Sequence, residues 1–203
     1  MTQVMTSSRV LNPGQKAPST DACSRLICMQ RKTPLFAAAL LAIVGGNNVA
    51  VSRDKVPEFT HTATSEWINS APLRLSNLRG SVVLIEFWAF DCSNCRNTLP
   101  WMEAVHAEYG ARGLKIVSVH TPELKQEYVP SNVRRAVKEL GISYPVMIDA
   151  DYSYWGALKN HYWPAFYLVD RSGRIVETAL GELHRGEARG DAMEAAIRGQ
   201  LER

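Results

Sequence analysis

The segment Val82-Val83-Leu84-Ile85-Glu86-Phe87-Trp88-Ala89 is apolar and rich in β-branched and aromatic residues, with a single carboxylate in its middle. A run of this length and type reads as a buried strand. It leads directly into Cys92-Ser93-Asn94-Cys95, and from Arg96 to Gly110 the chain shows an amphipathic helical pattern closed by glycine. A Cys-x-x-Cys where a buried strand meets a helix N-terminus is the arrangement of a dithiol redox centre. Unpaired backbone N–H groups and the helix dipole favour a thiolate on the first sulfur. The second sulfur, one turn deeper, is close enough to resolve a mixed disulfide by intramolecular attack. A metal half-site or two unpaired thiols are the competing readings of the same pair.

The rest of the chain supplies the layers such a strand needs. Leu114 to His120 reads as a second strand, and Ser131 to Leu140 as a helix with Ser131 as its N-cap and Gly141 just past its end. Pro145 to Asp149 reads as a third strand, and Tyr152 to Leu158 as a short helix. Phe166 to Asp170 and Arg174 to Leu180 form a hairpin turned by Arg171-Ser172-Gly173, and Glu187 to Leu201 a closing helix. Between Val56 and Gly80 a short strand or hairpin is expected around Trp67-Ile68-Asn69 and Pro72 to Leu75. Strands alternating with helices predict a three-layer α/β/α sandwich around a mixed sheet, its early strands parallel and its last hairpin antiparallel.

Of 203 residues, 46% are hydrophobic, enough for a core without disulfide staples. The net charge of +3 is unevenly spread. Residues 1–52 carry five basic side chains against Asp21, a balance of +4, which leaves −1 for residues 53–203. That nearly neutral body argues against a nucleic-acid partner. In the first stretch Arg31-Lys32 precede Leu35 to Val44, an apolar run shorter than the roughly 20 residues of a membrane span. With the small residues Ala50-Val51-Ser52 behind it, this reads as a signal peptide cleaved near Ser52. A short membrane anchor or an internal helix is the alternative. Translation starting at Met29 would give the signal a conventional basic start. The expected organisation is a leader over 1–52 and one domain over 53–203, exported to an oxidising compartment such as the periplasm. Cys23 and Cys28, within the leader, have the spacing of neither a redox pair nor a usual zinc half-site.

Val83-Leu84-Ile85-Glu86-Phe87-Trp88-Ala89 with Cys92 and Cys95 resembles the signature of the thioredoxin superfamily. Asn94-Cys95-Arg96-Asn97-Thr98-Leu99-Pro100 is similar to the exported TlpA/ResA-like redoxins of AhpC/TSA type. The similarity is greater still to the thioredoxin-like domain of DipZ-type proteins. Val119-His120-Thr121-Pro122-Glu123 and Tyr162-Trp163-Pro164-Ala165-Phe166-Tyr167-Leu168-Val169-Asp170 fit that subgroup as well. The resemblance covers about residues 56–185, and Leu183-His184-Arg185-Gly186 departs from it.

The resemblance implies a thioredoxin-like fold and an exported thiol–disulfide oxidoreductase with Cys92 as nucleophile and Cys95 as resolving thiol. Glu86 would lie beneath the dithiol and accept the Cys95 proton. The Trp163-Pro164 peptide bond would be cis and face the dithiol, offering the backbone of Trp163 to an extended substrate strand. The redox group is the Cys92–Cys95 disulfide, with no other cofactor and no metal expected. Its partners would be protein thiols or disulfides, apocytochrome c among them, and a separate membrane or soluble thiol electron donor in place of the DipZ membrane domain. Asp91 departs from the aromatic residue many thioredoxins carry there, and a carboxylate beside Cys92 disfavours the thiolate.

Two other activities belong to the same fold. A thiol peroxidase would need threonine or serine three residues before the reactive cysteine and proline seven before; this chain has Ala89 and Ile85. A copper carrier would draw on His120, although a lone histidine at a strand end more often serves as a hydrogen-bonding cap. His106, His161 and His184 carry no spacing signal, and Trp88, Trp101 and Trp163 are expected in the core or lining a groove.

Overall fold

The computed structural model describes residues 55–203. In chain order they form β1 (Trp67–Ile68), β2 (Val82–Trp88), α1 (Ser93–Tyr109), β3 (Leu114–His120), α2 (Pro130–Glu139), β4 (Val146–Ile148), α3 (Ser153–Ala157), β5 (Ala165–Val169), β6 (Ile175–Leu180) and α4 (Ala188–Leu201). Three short 3-10 turns, Thr64–Glu66, Leu75–Leu78 and Lys125–Tyr128, lie between them.

The six strands make one sheet in the order β1-β4-β3-β2-β5-β6. Every residue of β2 is buried, as its composition demands, because it runs between parallel β3 and antiparallel β5. β3 and β4 are also parallel, whereas β5–β6 and β1–β4 are antiparallel. The crossovers β2–α1–β3 and β3–α2–β4 step the same way along the sheet, and the right-handed rule places both helices on one face. There α1, α2 and α4 bury Leu99, Met102, Val133, Val137, Met193 and Ile197 against Leu84, Trp88, Ile116 and Phe166. The opposite face, with Val83, Ile85, Phe87 and Val119, is covered by Val56, Phe59, Trp67 and Leu75 and by Tyr154 of α3. The fold is the expected α/β/α sandwich with a mixed sheet.

Three local details differ from the sequence reading. The helix after the dithiol begins at Ser93, with Cys92 as its N-cap. Val129 caps α2, and Ser131 lies inside its first turn, because Pro130 supplies the preset φ and the missing N–H that suit the first helical position. Trp67–Ile68 does not form a hairpin with the following segment. It pairs with β4, while Leu75–Leu78 closes into a 3-10 turn whose first N–H groups are taken by Glu58. Gly141 does end α2, at φ +71°. Among the described residues no helix is long and apolar enough to cross a membrane. The leader, Met29, Cys23 and Cys28 lie outside the described residues.

Candidate functional site: a dithiol at the end of the central strand

Sheet topology brings three distant segments to one place. β2 and β3 are parallel, so the loops that follow them, at Ala89–Cys92 and Thr121–Leu124, leave the sheet at the same end. β5 runs the other way, so Trp163-Pro164, just before it, arrives at that end too. Such an end, outside the carboxyl termini of parallel strands, is where open α/β sheets place their sites.

Cys92 and Cys95 are joined as a disulfide with their Cα atoms 5.3 Å apart. The backbone N–H of Cys95 donates to Cys92 Sγ at 3.3 Å, so a free N–H of the first turn already points at the first sulfur. The two cysteines differ in access. Cys92 retains 8% exposure and opens onto a cavity of about 310 Å³, whereas Cys95 is 1% exposed and packs into the core. Asp91, Asn94, Glu123, Leu124 and Trp163 line the same cavity.

Glu86 occupies β2 between Leu84 and Trp88, and strand alternation turns all three toward α1, the helix that carries the dithiol. Its carboxyl group is buried and accepts a hydrogen bond from Ser118 Oγ at 2.7 Å. Burial drives its pKa up to about 7, a rise the Ser118 bond opposes. Glu86 is therefore neither at a sheet edge nor paired with a lysine. Tyr144 shares its surroundings, and burial together with the charge of Glu86 raises the Tyr144 pKa well above its ordinary value.

The Trp163–Pro164 bond is cis. Trp163 Nε1 donates to the Thr121 carbonyl at 3.0 Å, and its ring packs 4.2 Å from that of Trp155. This ties the segment before β5 to the loop after β3. Trp88 and Trp101 are core residues.

The histidine expected to cap β3 does something else. His120 is buried between Trp88 and Phe90, and neither ring nitrogen has a hydrogen-bond partner. Burial lowers its pKa to about 4, so the ring is neutral and acts as an aromatic spacer. Asp91, for its part, accepts a hydrogen bond from the Gln126 side chain at 2.6 Å.

Two groups that sequence reading did not single out hold the site together. Glu127 is fully buried and accepts from the backbone N–H groups of Asp91, Glu123 and Leu124 at 2.8, 2.7 and 2.7 Å. Its carboxylate thus joins the loop before Cys92 to the opposite wall of the cavity. A Glu three residues into a turn that follows Pro122 is the one hint in the sequence, through its capping-box spacing from Leu124.

Asp149, also fully buried, accepts from Thr121 Oγ1 (3.0 Å), from the N–H groups of Tyr154 and Trp155 in the first turn of α3 (2.9 and 3.0 Å), and from His61 Nε2 (3.0 Å). His61 Nδ1 faces Glu66 at 3.1 Å and Ser153 Oγ lies 3.2 Å from Nε2. A hydroxyl, an imidazole and a carboxylate in line suggest a nucleophile with its base, but here both ring nitrogens face carboxylates. The Asp149 hydrogen bond foremost lifts the His61 pKa to about 9. An imidazolium has no lone pair for a serine proton or a metal ion. His61, Asp149 and Asp151 place ligand atoms within 4.8 Å of one another, and His61 faces Asp149 at 3.0 Å and the exposed Asp151 at 3.3 Å.

Among known proteins, residues 52–178 match the model of the AhpC/TSA family. The chain is 43% identical over 119 residues to the protein DipZ of Mycobacterium tuberculosis, an alignment that covers 57% of this chain and 17% of DipZ. The chain therefore spans about a sixth of that relative's length. It is 31% identical over 157 residues to the thiol-disulfide oxidoreductase ResA of Oceanobacillus iheyensis, covering 73% of this chain and 77% of ResA. The crystal structure of a thiol-disulfide isomerase from Corynebacterium glutamicum superposes with a TM-score of 0.60 at 21% identity, over 73% of this chain and 97% of that one, a likeness of fold. With a thioredoxin fold, a Cys-x-x-Cys disulfide at the head of α1 and this family match over most of the described body, the chain belongs to the AhpC/TSA family and is related to its ResA-type thiol–disulfide proteins.

Proposed function

We propose that the protein is an exported thiol–disulfide oxidoreductase that reduces disulfides in other proteins. The observation that carries this reading is the asymmetry of the pair: Cys92 lines an open cavity at a helix N-terminus, while Cys95 is wholly buried on the sheet face that holds Glu86. In the reduced protein the Cys92 thiolate attacks one sulfur of a substrate disulfide. A mixed disulfide forms, and the other substrate sulfur leaves as a thiolate that takes a proton from water. Glu86 then accepts the Cys95 proton, and the Cys95 thiolate attacks Cys92 Sγ. That step closes the Cys92–Cys95 disulfide and releases the second substrate thiolate. Two electrons have passed from the dithiol to the substrate, and a separate thiol donor must restore them. Trp163 and Pro164 form the edge on which an extended substrate segment lies.

A location outside the cytoplasm is supported by the signal-like leader and by the similarity to ResA. Apocytochrome c cysteines, which must be reduced before haem attachment, are the substrate proposed on the TlpA/ResA resemblance. Peroxide chemistry is not supported, since Ala89 and Ile85 stand where that reaction needs a hydroxyl and a proline. The test is a stoichiometric one. Reduced protein mixed with an oxidised apocytochrome peptide is expected to yield two peptide thiols for each Cys92–Cys95 disulfide formed. Faster oxidation by hydrogen peroxide than by the peptide, or no thiol release, would reject the proposal.

A further inference from the structure

Exposed apolar side chains gather beside the dithiol. Among the described residues, large hydrophobics that remain 40–56% exposed are Leu124, Tyr128, Val129, Tyr162 and Leu180, and Leu124, Tyr128 and Tyr162 belong to this neighbourhood. Leu124 lines the Cys92 cavity, and Tyr162 directly precedes Trp163, which lines it as well. Tyr128 connects to Trp163 through consecutive ring contacts, with centroids 6.3 Å apart for Tyr128–Tyr152, 5.9 Å for Tyr152–Trp155 and 4.2 Å for Trp155–Trp163. The result is an apolar shelf continuous with the reactive cavity, the kind of surface that marks a binding face.

The cavity itself has one sign of charge. Its ionisable side chains besides Cys92 are Asp91 and Glu123, both exposed, and no lysine, arginine or histidine lines it. The Gln126 amide donates to one oxygen of Asp91. Two cations next to it in sequence do not line it: Arg96 lines a neighbouring cavity that shares Asp91, and Lys125 follows Leu124 on the exposed turn.

Resting on the oxidoreductase reading above, we propose that this face selects its substrate: an extended polypeptide segment whose cysteine is flanked by a bulky apolar side chain and by a basic one. The apolar side chain lies on the Leu124–Trp163–Tyr162 shelf, and the basic one reaches Asp91 and Glu123. Exposed opposite charges attract only weakly, so the charge preference is a factor of a few and fades with salt.

The experiment uses the full-length chain, reduced, and four disulfide-bonded peptides of equal length. Their cysteines are flanked by leucine and arginine, leucine and glutamate, serine and arginine, or serine and glutamate. The kcat/KM for the leucine–arginine peptide is expected to exceed that for the serine–glutamate peptide about tenfold. The arginine-to-glutamate ratio should shrink toward one at high ionic strength. In the Asp91→Asn, Glu123→Gln double variant that ratio should collapse, and in Leu124→Ser the leucine-to-serine ratio should. Comparing ratios within one variant cancels any change in Cys92 reactivity. Equal rates on all four peptides, with oxidised glutathione still reduced, would overturn the substrate selection and leave the dithiol chemistry standing. Failure on every peptide and on glutathione would overturn the oxidoreductase reading itself.

Discussion

With its pKa held near 7 by burial, Glu86 changes protonation state within the range where thiol exchange takes place. Below about pH 4.5 the folded and unfolded chains both carry it protonated. Between there and pH 7 only the unfolded chain ionises, so stability falls as pH rises, and the full cost remains above pH 7. A rise from 4.5 to about 7 corresponds to about 3 kcal/mol. Glu86→Gln is therefore expected to unfold at higher urea than the parent at pH 8, by on the order of 3 kcal/mol, and to match it near pH 4. The same variant should resolve mixed disulfides about a hundredfold more slowly and lose the rise in rate through pH 7. A stabilised variant with an unchanged pH–rate profile would show Glu86 to be a buried acid without a part in the reaction. The pairing of Cys92 with Cys95 was legible from a local strand–Cys-x-x-Cys–helix pattern, whereas the buried place of Glu86 and the cis Trp163–Pro164 bond were expected from the family resemblance. His120 was misread, since nothing in Val119-His120-Thr121 announces that Trp88 and Phe90, thirty residues away, will enclose its ring.

Between elements, two buried carboxylates do the joining. Glu127 serves three backbone N–H groups from two loops, so Glu127→Ala leaves all three without their acceptor. The expected loss is on the order of 3 kcal/mol, with a larger rise in KM than fall in kcat, because the cavity wall at Glu123–Leu124 loosens while the α1 N-terminus stays intact. Chemical denaturation and steady-state kinetics on one substrate peptide check both parts. Asp149 joins β4, α3, the Thr121 loop and His61. Because the folded His61 pKa is raised to about 9 from 6.5, its pairing stabilises the fold fully below pH 6.5 and is lost as pH rises through about 9. Parent and His61→Asn should thus differ most in unfolding midpoint at pH 6 and converge by pH 10. Apart from the capping-box spacing of Glu127, neither joining role was visible beforehand, for the bonds that span the fold reach 36 residues from Glu127 to Asp91 and 88 from Asp149 to His61. The strands and long helices were readable because their periodicity is local. The start of α2 and the pairing of Trp67–Ile68 depend on Pro130 and on β4, which periodicity does not report.

Among the described residues, two apolar clusters lie within residues 56–201. Residues 53–203 expressed alone are therefore expected to fold cooperatively and to keep the dithiol chemistry. A chain beginning at residue 62 would lack the buried Val56, Phe59 and His61. It would also lack the Val56 N–H bond to Gly173 and the Lys55–Arg174 bridge. Its thermal midpoint should fall by many degrees, which circular dichroism would register. At this scale the arrangement of sheet and helices brings Cys92, the Thr121–Leu124 loop and the Trp163-Pro164 edge to one end, and the direct test is to stop the reaction there. A Cys95→Ser variant of the full-length chain cannot complete the second attack. It should accumulate protein partners bound through Cys92, releasable with dithiothreitol and absent from a Cys92→Ser control. Equal trapping by the two variants, or trapping by Cys92→Ser alone, would contradict the assignment of Cys92 as nucleophile and Cys95 as resolving thiol.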